Sequence, residues 1–425
     1  MKAVRWLSVS LLAVAGVAHA EPQAMPAAAP PAPAAPVQAA KPPAPMWFGF
    51  LRPTLDLRPR VEFADQDGRD EAIAWTFRGR FGLEATLQEN IKAFAEIEHT
   101  STWHRDSYQA ASVHGRHDGK TVIADPESTE LNQAWLAYTG KEFELKGGIQ
   151  RITLENQRFI GNVGWRQNEQ TYHGATFTYK GIDKVKLFYG YVYNVDNIFG
   201  SGTVHNLSDR DFDSNSHLIQ ATYEPIPALR LTGYSYLLDL ENSGTTNASN
   251  NTYGASLTGT LPAGPTTLGY RLEYARQADA ADSQRDYRAD YLHLYSSAKY
   301  GRFSAGAGYE RLGASNGVGF QTPLATLHAF NGYADKFLVT PAKGLQDIYF
   351  EVGVKLPFDV QMNTAYHDYV AADDHTDLGY EFNVVLSKQL RWGIKALFKG
   401  AFYKADELPL TDTNKLIFQL EYVLP

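Results

Sequence analysis

The 425-residue chain contains no cysteine, which excludes a disulfide framework, thiolate chemistry, cysteine-bound zinc and a thiol-linked lipid anchor. Beyond residue 20 it has no run of about eighteen apolar residues, the length a membrane-spanning helix needs. It lacks a surplus of positive charge. The formal net charge is −8, the reverse of the basic footprint that nucleic-acid binding requires, so no nucleic acid is expected as a partner. No H-E-x-x-H occurs, and no Ser or Asp stands in a recognisable set with His293 or His367. An enzyme is therefore not expected, and nothing in the chain calls for a cofactor.

Aromatic residues, by contrast, make up 13% of the chain, and glycine is frequent. Alternating strands with aromatic girdles at two interfaces give that composition. At the N-terminus Lys2 and Arg5 precede an apolar stretch, Leu7 to Val17, and Ala18-His19-Ala20 has the small-x-small form of a cleavage site. Residues 1–20 are read as a secretory signal. Residues 21–46 are almost wholly Ala and Pro, a composition that cannot bury a core, and are read as a disordered linker. The remaining domain is 47–425.

From Trp47 onward one theme repeats: about ten residues alternating apolar and polar, then a turn. Leu55, Leu57, Val61 and Phe63 alternate with Asp56, Arg58, Arg60 and Glu62; near the C-terminus Leu416, Phe418 and Leu420 oppose Lys415, Gln419 and Glu421. A soluble sandwich shares that period, so connection lengths decide. About eighteen strands are predicted, joined alternately by short turns and by long polar loops, notably 106–129, 153–169, 196–214 and 313–345. That pattern predicts an all-β fold: a transmembrane antiparallel up-and-down β-barrel with short periplasmic turns and long extracellular loops, in the bacterial outer membrane. In lipid no strand edge stays unpaired, so first and last strands should pair. A barrel of this size is too wide for side chains alone to fill, which predicts an aqueous bore.

The stretch QRITLENQRFIGNVGWRQNEQT (150–171) carries three arginines between two strands. With ADPESTELNQAWLAYTG (124–140) and GVGFQTPLATLHAFNGYADKFL (317–338), it resembles the signatures of the alginate-export family of outer-membrane porins. The resemblance implies a passive channel with an electropositive constriction for an anionic polyuronate. Candidate pore-lining, anion-binding residues are Arg58, Arg60, Arg78 and Arg80, on one face by parity, and Arg151, Arg158 and Arg166, which could fold inward. Two alternatives stay open: these arginines pair with acids such as Glu62, Glu84, Glu96 and Glu98, or the chain is a general small-nutrient uptake porin. Either loop 313–345 or loop 153–169 is expected to plug or narrow the bore. Expected partners are membrane lipid, an anionic saccharide or small solute, and periplasmic secretion proteins, around a monomer. Two metal readings, a calcium-like loop at Asp209 to Asn215 and His114 with His117, are weighed below a plain solvated loop.

Overall fold

The computed structural model describes residues 50–110, 119–199, 211–241, 248–406 and 409–424. The leader and linker expected over 1–46, together with His114, His117 and Asp209, lie outside the described residues. In chain order the strands are β1 (Leu51–Gln66), β2 (Ala72–Gln88), β3 (Ile91–Thr102), β4 (Ser128–Thr139), β5 (Phe143–Gln150), β6 (Thr171–Tyr179) and β7 (Val185–Asp196). There follow β8 (Asp211–Ile226), β9 (Leu229–Leu238), β10 (Asn250–Ala263), β11 (Thr266–Asp279), β12 (Arg288–Tyr300) and β13 (Phe303–Leu312). After the two-residue pair β14 (Ala314–Ser315) and β15 (Val318–Gly319) come β16 (Leu345–Lys355), β17 (Gln361–Val370), β18 (Asp377–Gln389), β19 (Ile394–Lys404) and β20 (Thr413–Val423).

Apart from β14 and β15, every strand pairs antiparallel with its neighbours in the chain, giving one eighteen-stranded sheet. The sheet closes on itself, since β1 pairs with β20 from Asp56 opposite Val423 to Gln66 opposite Thr413. Closure satisfies every strand edge, as a lipid surround demands.

Period two decides which side faces out. On β2, Ile73, Trp75, Phe81, Leu83 and Leu87 are exposed, whereas Ala72, Ala74, Thr76, Arg78 and Arg80 are buried. The same inversion holds on β16 and β20, where Phe350, Val352, Phe418 and Leu420 lie outside and Glu351, Lys415 and Gln419 point in. An apolar outer wall around a charged interior is stable only in lipid. Two short turns end in aromatic tips, Phe358 and Trp392, 83% and 84% exposed, placed where interfacial aromatics belong.

Two long connections narrow the bore, which the strand number alone would leave wide. The β5–β6 connection (residues 151–170) and the β15–β16 connection (residues 320–344) turn inward. They build an apolar cluster inside the barrel with Phe159, Ile160, Phe320, Leu324 and wall tyrosines Tyr234, Tyr236 and Tyr291. The Phe159 ring meets Tyr291 edge-on at 5.2 Å and lies 5.9 Å from Phe320. Connections long enough to carry their own apolar residues can fill a space that strand side chains cannot reach.

Candidate functional site

The two inward connections fasten to each other first. Gly161 N donates to Leu324 O (2.9 Å) and Thr326 N to Gln157 O (3.0 Å). The Thr326 hydroxyl accepts from Val163 N at 3.1 Å and donates to Gln157 Oε1 at 2.7 Å. Gly161 is required here, because a Cβ at that position would stand 2.3 Å from Thr326 Oγ1. Val163 holds φ +51°, a costly conformation for a β-branched residue that such a network can sustain. Arg166 then joins the connections to the wall: its guanidinium donates to Glu62 Oε2 on β1 at 3.2 Å and to Asp335 Oδ2 at 2.8 Å.

A second fastening is aromatic. The Trp165 and His328 rings stack at 4.5 Å, and His328 stacks on Tyr333 at 5.2 Å. Lys399 on β19 lies over both outer rings, 3.6 Å from the Trp165 centroid and 3.7 Å from that of Tyr333. Its ammonium donates to His328 Nε2 at 2.9 Å, while His328 Nδ1 meets Asp335 Oδ1 at 2.7 Å. Desolvated cation–π contacts of this kind contribute about 2 kcal/mol each. Burial alone would raise the Asp335 carboxyl, but His328, Lys415 and Arg166 around it hold it well below the usual carboxylate range.

Between this inward block and the short-turn rim lies a cavity of about 1180 Å³, lined from Arg52 and Glu84 on one side to Gly301, Arg302 and Lys355 on the other. Trp165, His328, Tyr333 and Glu169 stand at its inner end. The wall carries nine cationic side chains, Arg52, Arg58, Arg80, Arg151, Lys299, Arg302, Lys355, Lys395 and Lys399, and six carboxylates, Asp56, Glu84, Glu96, Glu169, Glu351 and Glu421.

The sequence-predicted arginines divide. Arg58, Arg80 and Arg151 reach the cavity; Arg60, Arg78, Arg158 and Arg166 are buried beside it and do not line it. All seven are ion-paired. Arg58 holds Glu421 at 2.6 Å, Arg60 holds Asp125 at 3.1 Å, Arg78 holds Asp56 at 2.5 Å and Arg158 holds Glu310 at 2.8 Å. Arg80 pairs with Glu98, and Arg151 with Glu169 and, at 2.8 Å, Glu96. Of the acids considered from sequence, Glu62, Glu96 and Glu98 do take these arginines, while Glu84 pairs with Arg52 and Lys92 instead.

The arc from β1 to β5 is thus close to charge-balanced. The cation excess stands on the arc from β12 to β19, where Lys299, Arg302, Lys355, Lys395 and Lys399 line the cavity with Glu351 as the one acid, and Glu421 on the next strand, β20, lies across from Lys395. Lys355 also reaches Asp359 on its own turn, at 2.8 Å. Sequence reasoning passed over this arc because its cations come one per strand, with no cluster in the chain to mark them. Their parity on the polar face was the available signal.

No curated protein matches this sequence. A family model described as "Alginate export" matches residues 54–309, well over half of the chain. Among solved structures, OpdK of Pseudomonas aeruginosa with vanillate superposes at a TM-score of 0.70, with 15% identity, over 88% of this chain and 100% of that one. OccAB4 of Acinetobacter baumannii gives 0.67 at 14% identity, over 88% and 98%. OccK8 (OprE) of P. aeruginosa gives 0.65 at 15% identity, over 88% and 98%. At these identities the likeness is one of fold. With the family match over most of the barrel, and an apolar wall surrounding a charged cavity, the chain belongs to the alginate export family and is a channel of the bacterial outer membrane, not an enzyme.

Proposed function

We propose that this channel passes anionic saccharides of the polyuronate type, moving passively through a cavity whose field favours carboxylates. The observation that carries this reading is the one-sided cation excess from β12 to β19, with Lys299, Arg302, Lys355 and Lys395 near the rim and Lys399 at depth. Lys and Arg lining a narrow, low-dielectric passage select anions. Trp135 and Tyr295 line the same space and offer apolar ring surface to sugar rings. Because one chain closes its own barrel, the pore needs no second copy, which favours a monomer as the working form. The cavity opens toward the short turns, which face the periplasm in outer-membrane barrels; a periplasmic donor of the polymer would meet it there. The Ala/Pro stretch over 21–46 is, on the same reading, a spacer between leader and barrel.

The test is block of single-channel current by an oligouronate in planar bilayers. Replacing Arg302 and Lys395 together by Glu should weaken both the block and the anion preference. Arg78 is a poor choice for this purpose, because its guanidinium is buried against Asp56. An oligouronate that leaves the wild-type current untouched would count against the reading.

A further inference from the structure

Asn383 stands on the inner face of β18, 1% exposed, and lines the cavity. Neither its Oδ1 nor its Nδ2 has a hydrogen-bond partner among the described residues. The register explains why: Asn383 lies opposite Ala365 on β17 and Ala401 on β19, so methyl groups flank the amide where longer polar side chains would satisfy it. Ala365 in turn lies opposite Glu351 on β16, and Glu351, Tyr333 and Lys399 line the cavity with it. A buried amide is rarely left without partners, and asparagine is disfavoured within strands, so its presence here calls for an explanation.

Resting on the polyuronate reading, we propose that the recess beside Asn383 is a subsite for the hydroxyl pair of a sugar ring, making the channel selective for saccharides among anions. An amide presents one donor and one acceptor side by side, matching two adjacent hydroxyls that each can give and take a hydrogen bond. Glu351 supplies a further acceptor, Tyr333 an aromatic face, and Lys399 the positive charge toward which a ring carboxylate is drawn. Field selection alone cannot tell a uronate from any other anion of equal charge. A paired amide can, because an anion without hydroxyls would leave it unpartnered.

The experiment compares two blockers on the full-length channel in planar bilayers: an oligouronate, and an oligoacrylate of equal length and charge that has no hydroxyls. The wild type should bind the oligouronate more tightly. In Asn383→Ala, the dissociation constant for the oligouronate should rise about tenfold, the effect of losing two hydrogen bonds, while block by the oligoacrylate and the open-channel conductance stay unchanged. Ala365→Leu, which fills the recess and removes no polar group, should do the same. Equal affinity of the two blockers in the wild type, or variants that weaken both blockers alike, would overturn the subsite. Under the second outcome an anion-preferring reversal potential would still leave the polyuronate reading standing. A wild type blocked by neither compound would overturn both.

Discussion

Arg166 sits where three parts of the chain meet, holding Glu62 on the wall and Asp335 in the facing connection with one guanidinium. Removing one member of a buried pair leaves an uncompensated charge, which costs about 3–5 kcal/mol. Arg166→Ala should therefore lower the urea midpoint of the detergent-refolded barrel by a corresponding amount and make its single-channel current noisier. Asp335 lies outside the spanning strands, and its depressed pKa sets a pH dependence. A carboxyl held below its unfolded value contributes stability that is present above the ordinary carboxylate range and is lost as pH falls through the depressed value. The hold of Asp335 on the connections should accordingly persist through the ordinary carboxylate range and be lost only under stronger acid, read as a rise in conductance there that is absent in Asp335→Asn. A conductance and acid response unchanged in Asp335→Asn would show that Asp335 does not hold the block in place. At this scale the sequence was legible as to faces and poor as to partners. Parity put Arg58, Arg60, Arg78 and Arg80 inside, yet which acid each takes depends on strand stagger and on segments distant in the chain, as with Glu421 on β20 for Arg58 and Asp125 for Arg60. Asn383 did carry a signal, an asparagine set between Phe382 and Val384 in an otherwise strand-forming run.

The elements show the same division more sharply. Strands were legible because one face meets lipid and the other meets charge, so a single period fixes which way each side chain points, as on β2 from Ala72 to Gln88. The expected narrowing loop was framed as a choice between two connections, and both take part, each completing the other. Nothing local announces that pairing, since it rests on contacts such as Gly161 with Leu324 and Thr326 with Gln157. Gly332 is a second fixed point, at φ +85° with Glu381 and Tyr369 each 2.4 Å from where a Cβ would stand. Beside it Tyr333 N and Ala334 N both donate to Glu381 Oε1. Gly161→Val should push the two connections apart and raise the open-channel conductance while the barrel still folds, as judged by heat-modifiable migration in gels. Conductance equal to wild type would mean that the Gly161–Thr326 contact does not set the narrowest point.

For the whole molecule, the closed sheet and its lipid-facing wall place a charged cavity between the short-turn rim and an inward-folded block. The excess charge of that cavity is on the arc from β12 to β19, not among the arginines that clustering in the sequence had brought forward. Those arginines are needed to hold acids and connections in place, so the structural part and the selective part of the site fall on different strands of the wall. The most direct test of anion selection is the zero-current potential of the wild-type channel in a planar bilayer under a salt gradient. A potential of the sign set by anion permeation is expected, reduced when Arg302 and Lys395 are replaced by Glu. A potential of the cation-selective sign would contradict the assignment of the β12–β19 arc as the selective wall.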